Sequence, residues 1–162
     1  MVSEKSLYFM SFAKYLSKNA RCFSRKIGAV LVKDDEIISY GWNGQPDNLS
    51  MCENSCPRKE YKFKSGEGTI LCPAIHAEVC AVINAIKEGN PTKGADLYCF
   101  CGVPCNSCAA ILIQAGIDTI YCTRNSSDYS PISMRMFTEA GVKVVYIDEG
   151  DVGEYDENPD SE

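Results

Sequence analysis

The sequence predicts an α/β fold, a three-layer α/β/α sandwich built around a mixed five-stranded sheet. Five short apolar runs, at residues 27–32, 36–42, 96–101, 117–122 and 142–147, read as strands. Each of the last three follows a helical segment, and strands alternating with helices of this length imply parallel pairs with helices packed on the sheet. The first two flank an Asp34-Asp35 turn and form a hairpin, whose antiparallel pairing makes the sheet mixed. With 162 residues and 45% hydrophobic content, the chain is long enough for one well-buried domain and too short for two comfortable ones.

Taken in order, Ser3 caps a helix reaching to about residue 19, with Leu7, Met10, Phe12, Tyr15 and Leu16 in a mostly helical period. A cationic bend follows at residues 21–26, and then the hairpin. Gly41, Trp42, Asn43, Gly44, Gln45 and Pro46 come next, two glycines bracketing an aromatic and an amide in a forced turn of the kind that approaches a ligand closely. From 47 to 71 nothing is periodic, and so long a loop inside a compact domain needs a staple. Cys52, Cys56 and Cys72, joined by Cys22 from the bend, supply four soft ligands, enough for a closed structural zinc site; the alternative is four unrelated thiols. A helix at 77–87 stops at Gly89, Asn90 and Pro91, a second runs from 105 to 115 before Gly116, and a third from 131 to 140 before Gly141.

Charge narrows the class. The net charge of −6 sits mostly in residues 148–162, which hold eight acids and no Lys or Arg; sixteen bases face fourteen acids in the rest. A nearly neutral body lacks the broad basic footprint of a protein that grips long nucleic acid, and favours a small anionic substrate. The acidic end, with Gly150, Gly153 and Pro159, reads as a disordered solubilising tail, leaving 1–147 as the catalytic domain with 47–72 as its cysteine-bearing insert. No run approaches the roughly eighteen apolar residues of a membrane span, and no basic-then-apolar secretory pattern opens the chain. A cytoplasmic protein with reduced cysteines is expected.

The chemistry concentrates between residues 71 and 108. Cys105 and Cys108 stand three apart behind Pro104 at a helix start, so one metal ion can reach both thiolates, and the helix N-terminus favours the ligating form. His76 is the only histidine. Together the three donors fill three corners of a zinc tetrahedron and leave the fourth for water, as a catalytic site requires. Glu78, two residues after His76, suits a proton shuttle better than a fourth ligand. A lone Cys-x-x-Cys also occurs as a redox pair or as half of a zinc knuckle, but neither accounts for the histidine followed by a carboxylate.

His76-x-Glu78 followed by Pro104-Cys105-x-x-Cys108 resembles the signature of the zinc nucleobase deaminases. The chain as a whole, from the first helix to about residue 147, resembles the deoxycytidylate (dCMP) deaminases of the cytidine deaminase superfamily, of phage and microbial type. Lys26 to Val30 resemble the family's first strand, and Gly41, Trp42, Asn43 and Gly44 with Pro46 its Gly-aromatic-Asn-Gly loop. Cys52, Cys56, Arg58, Ser65, Gly66, Glu67 and Cys72 resemble its insert, and Gly94, Ala95, Leu97 and Tyr98 its run before the second motif. Two positions depart: Cys80 stands where many members have Asn, and Trp42 where Tyr is commoner.

The resemblance implies a cytidine deaminase-like fold and hydrolysis of dCMP to dUMP and ammonia, supplying dUMP for dTMP synthesis. It implies zinc on His76, Cys105 and Cys108, Glu78 as general acid/base, and in two-zinc members ligands at the positions of Cys22 and Cys52. Substrate contacts are implied at Asn43, Ala77, Val103 and Tyr129. A 5′-phosphate needs cations or donors, and Ser24, Arg25 and Lys26 form the nearest suitable cluster, the alternative being exposed solvated charge. Members are commonly homohexamers, activated by dCTP and inhibited by dTTP with Mg²⁺ near the Gly41 to Gly44 loop, so a hexamer or trimer and a regulatory nucleotide site are expected. Competing readings are a dual dCMP/dCTP deaminase, a tRNA adenosine deaminase, which shares Trp42-Asn43 but which the charge balance disfavours, and a non-catalytic zinc-binding interaction module, which leaves Glu78 without a role.

Overall fold

The computed structural model describes residues 2–50, 52, 54–64, 67–123 and 131–155. Helix α1 spans Glu4–Ser17, and the Ser3 side chain accepts from the Ser6 N–H at 3.1 Å, a cap of the kind worth about 1 kcal/mol. Strands β1 (Gly28–Lys33) and β2 (Glu36–Trp42) form the hairpin. Asp34 and Asp35 both adopt positive φ, 51° and 66°, which twists the turn to match its strands. After α2 (Pro57–Glu60) come α3 (Ala77–Glu88), β3 (Asp96–Cys99), α4 (Asn106–Gln114), β4 (Thr119–Thr123), α5 (Pro131–Ala140) and β5 (Lys143–Ile147).

The sheet order is β2-β1-β3-β4-β5. β1 pairs antiparallel with both β2 and β3, whereas β3, β4 and β5 are parallel. Strand alternation divides the core in two. Ala29, Leu31, Leu97, Cys99, Ile120 and Cys122 face α3, α4 and α5, and Phe137 of α5 is fully buried among them. Val30, Val32 and Tyr98 face α1, against Phe9, Met10, Ala13 and Leu16. This is the three-layer sandwich the strand and helix alternation implies.

Two glycines allow layers to touch. A Cβ on Gly28 would lie 2.1 Å from the Ala13 carbonyl oxygen, so α1 can settle on the start of β1 only over glycine. One on Gly41 would lie 2.6 Å from the Ala81 nitrogen, which fixes α3 against the end of β2.

Three boundaries differ from expectation. The strand expected over 96–101 ends at Cys99, because the Cys101 N–H turns back onto the Cys99 carbonyl at 2.8 Å. Cys105 is the N-cap of α4 with an extended backbone, so it stands outside the helix that Cys108 enters. The stretch expected to be a featureless tail from residue 148 begins as packed structure: a 3-10 turn at Glu149–Asp151, Val152 buried against the α1 layer, and Tyr155 with its ring centroid 4.7 Å from that of Phe12. Glu154 pairs there with Lys14 at 2.8 Å. The remainder of that tail lies outside the described residues. Among the described residues no helix is long and apolar enough to cross a membrane.

Candidate active site

α4 follows β3, and α3 leads through the 89–95 connection into the beginning of β3. Both helices therefore start at the carboxyl end of the parallel strands, the edge where α/β sheets gather ligands. His76 is the N-cap of α3 and Cys105 the N-cap of α4. Among the described residues, the one group of Cys, His, Asp or Glu whose donor atoms all lie within 4.8 Å of one another is His76, Cys105 and Cys108. His76 Nδ1 is 3.6 Å from the Cys105 Sγ and 3.3 Å from the Cys108 Sγ.

The electrostatics suit a cation. Hydrogen bonds from Cys108 and then His76 hold the Cys105 thiol down to about 3, while the same bond and burial push Cys108 upward. The hydrogen bond to Cys105 raises His76. A metal ion displaces the thiol protons when it binds. One ring nitrogen and two sulfurs are a donor set that fits zinc.

Glu78 lies in the first turn of α3, 5% exposed, and its Oε2 is buried with no hydrogen-bond partner. Burial raises its pKa above the ordinary carboxylate value. An upward shift is the direction that suits a carboxyl to general acid/base work. The three donors open onto a depression of about 760 Å³ lined also by Arg58, Thr69, Ile70 and Cys72 of the insert. Only aperiodic sequence precedes these residues, so nothing in its pattern signals that the insert folds back over the metal donors.

Of the expected substrate contacts, Arg25 is exposed and its positive charge is felt at both His76 and Glu78. Lys26 is diverted, its ammonium donating to the Ala20 carbonyl, and the Ser24 N–H faces the Cys22 sulfur at 3.4 Å. Asn43, expected to meet the nucleoside, is 5% exposed with its amide engaged at both ends: Oδ1 accepts from the Ile27 N–H at 2.9 Å and Nδ2 donates to the Arg25 carbonyl at 3.0 Å. Ala77 is fully buried as the first residue of α3, and Val103 packs into the core beside it. Tyr129 lies outside the described residues.

The Gly41 to Gly44 loop is mostly structural in its contacts. Trp42 stacks with Tyr40 at 6.3 Å, and Gly44 pairs with Ile75. Trp42 and Gly44 border a recess of about 170 Å³ with Arg21, Cys80 and Lys87. Around Cys52, burial and the nearby Cys72, Cys56 and Cys22 all raise the thiol pKa, so the four cysteines are neighbours. No three of them share the mutual spacing found at His76, Cys105 and Cys108.

A family model described as the cytidine and deoxycytidylate deaminase zinc-binding region matches residues 3–124. The deoxycytidylate deaminase of Schizosaccharomyces pombe is 34% identical over 141 residues, which cover 85% of this chain and 42% of that protein. The chain thus spans less than half of that relative. The deoxycytidylate deaminase of Mycobacterium phage D29 is 31% identical over 124 residues, 74% of this chain and 94% of the phage protein. The crystal structure of dCMP deaminase from the cyanophage S-TIM5 in complex with dCMP and dUMP superposes with a TM-score of 0.73 at 26% identity, covering 91% of this chain and 99% of that one.

Proposed function

The chain belongs to the deoxycytidylate deaminase family of the cytidine deaminase zinc-binding superfamily, and from that premise we propose that it hydrolyses dCMP to dUMP and ammonia. The observation that carries the reading is the convergence of His76, Cys105 and Cys108 within 4.8 Å at two helix starts, with the buried, unpartnered Glu78 carboxyl two residues from the histidine. The cyanophage relative, solved with dCMP and dUMP, supports the choice of substrate.

Zinc bound to those three residues supplies a Lewis acid able to yield hydroxide at neutral pH. Glu78 accepts the proton of the attacking water as its oxygen bonds to C4 of the cytosine, and delivers that proton to N3. It then carries the remaining hydroxyl proton to the exocyclic amine, the C4–N bond breaks, and ammonia leaves with C4 as a carbonyl. Arg25, whose charge reaches His76 and Glu78, is the cation that meets the 5′-phosphate. Nothing in this sequence of steps requires a side-chain nucleophile.

Zinc-loaded protein incubated separately with dCMP, dCTP, deoxycytidine and a tRNA anticodon stem tests the substrate, with ammonia as readout. Release from dCMP in preference to the others is expected; release from tRNA alone overturns the reading.

The finer features belong to the same proposal. Cys22, Cys52, Cys56 and Cys72 hold a structural zinc that staples the insert, a reading supported by the influence of the other three thiols on Cys52; two zinc per chain are expected, falling to one in Cys52→Ser. Exposed Ile83, Ile86 and Ile111 on α3 and α4 support assembly of a homo-oligomer, which sedimentation reads directly. Activation by dCTP and inhibition by dTTP with Mg²⁺ rest on family membership, and rate curves for dCMP insensitive to both triphosphates remove them.

A further inference from the structure

A second cavity, of about 600 Å³, lies beside the bend between α1 and β1, and none of the three metal donors lines it. Its size is that of a small-molecule site. Arg21, Phe23 and Lys26 of the bend border it, together with Gln45, Ser50 and Cys52 from the segment after β2. No carboxylate is among the described residues that line it.

Gln45 is the unusual member. Its side chain belongs to a residue only 5% exposed, and its Oε1 accepts from the Cys52 N–H at 2.6 Å, which anchors the amide end among the lining residues. Among the described residues its Nε2 has no acceptor, so a nearly buried amide keeps both N–H donors unused. Buried polar groups are seldom left in that state, and where one borders a cavity the partner it calls for is an acceptor from outside the chain.

The neighbouring charges define that acceptor. Arg21 makes its bonds to the Gln45 carbonyl and to Asp47 through Nη2 alone, which leaves Nε and Nη1 without a partner among the described residues. Lys26 donates once, to the Ala20 carbonyl, and two of its three N–H groups remain. Lys59 of α2 places its ammonium 5.6 Å from the centroid of the Phe23 ring and so brings a further positive charge to the rim. Of these cations only Arg21 has a carboxylate within ion-pair distance among the described residues. Unused donors on a guanidinium, an ammonium and an amide, in a cavity without a carboxylate, match an anion whose several oxygens accept at once, as those of a phosphate group do.

We propose that this cavity is a second ligand site, separate from the metal centre, for a small phosphate-bearing molecule: Gln45 Nε2, Arg21 and Lys26 donate to the phosphate oxygens, and Phe23 flanks the remainder of the ligand. Because no metal donor lines the cavity, the site stands whichever base the metal centre acts on.

Inorganic phosphate is the probe, titrated into zinc-loaded protein and followed by calorimetry and by the side-chain amide resonances of Gln45. Wild type is expected to bind it with roughly millimolar affinity or better, and the Gln45 resonances are expected to shift as it binds. Gln45→Glu keeps the acceptor for the Cys52 N–H, removes both donors and adds a negative charge, so binding should weaken by roughly tenfold to a hundredfold. Lys59→Glu, at an exposed position, serves where Gln45→Glu does not fold, and should weaken binding by roughly fivefold. Absence of binding up to about 10 mM phosphate, or Gln45 resonances that stay in place during the titration, overturns the proposal. So does binding that Gln45→Glu leaves intact and Cys108→Ala abolishes, since the anion then sits on the catalytic metal.

Discussion

Replacing Glu78 by Gln removes a proton carrier while leaving its shape. The carboxyl is 5% exposed and Oε2 has no partner, so the isosteric amide enters the same space and breaks no hydrogen bond at that atom. Glu78 is not among the three donors that lie within 4.8 Å of one another, so zinc content is expected to stay at the wild-type value. The loss falls on turnover: an amide cannot pass a proton from water to N3 and then to the amine, and general acid/base catalysis contributes about 10²–10⁴-fold, or roughly 3–5 kcal/mol of barrier. Stability moves the other way. Burial raises the folded pKa above the ordinary 4.5, so the stabilising contribution of the neutral carboxyl is complete below that value and is lost as pH rises through the folded pKa. The amide never ionises, so metal-free Glu78→Gln is expected to melt higher than metal-free wild type at pH 8, with the advantage shrinking toward pH 4.5. Ammonia release, zinc analysis and thermal melting read the three outcomes. Turnover within about tenfold of wild type, at equal zinc, refutes the role given to this carboxyl.

Three further outcomes follow from other parts of the molecule. Cys108→Ala, at a donor 3% exposed beneath His76, should cost one zinc per chain by elemental analysis and all detectable deamination while the sheet stays folded by circular dichroism. Gly28→Ala forces a Cβ to within 2.1 Å of the Ala13 carbonyl; overpacking of this kind costs roughly 1–3 kcal/mol, a fall in Tm of about 2–4 °C for each, and a variant as stable as wild type would contradict the direct seating of α1 on β1. The hydrogen bond from Lys14 lowers the pKa of Glu154, so the docking of residues 152–155 on α1 is present above the ordinary 4.5 and is lost as pH falls through the lower folded value. The Tyr155 ring resonances should report that release, and Glu154→Gln should remove its pH dependence.

Much of the fold was legible because its elements carry local signals. Ser3 as a cap, the period of Leu7, Met10 and Leu16, and Pro131 and Gly141 around α5 each mark an element within one or two residues of its observed bounds. The metal donors were legible for a different reason: their chemistry demands short spacings, and His76 and Cys105 each stand at a helix start that the sequence marks. What failed to show was set by distant partners. Asn43 looks like a turn residue facing a ligand until Ile27 and Arg25, sixteen and eighteen positions away, are seen to occupy its amide. Lys26, exposed as its sequence suggests, reads as a cation free to meet a phosphate until its ammonium is seen to donate to the Ala20 carbonyl. Acidic composition at residues 148–155 predicts disorder because no local pattern announces that Val152 and Tyr155 will find apolar and aromatic neighbours on α1. The order of the strands, with β1 between β2 and β3, likewise depends on non-local pairing that no single segment encodes.

Removal of the amine of a pyrimidine monophosphate in this metal-competent pocket is read most directly from turnover. Purified protein carrying zinc on His76, Cys105 and Cys108 should convert dCMP to equal amounts of dUMP and ammonia, and lose that conversion on chelation. A folded, zinc-loaded chain that leaves dCMP intact would contradict it.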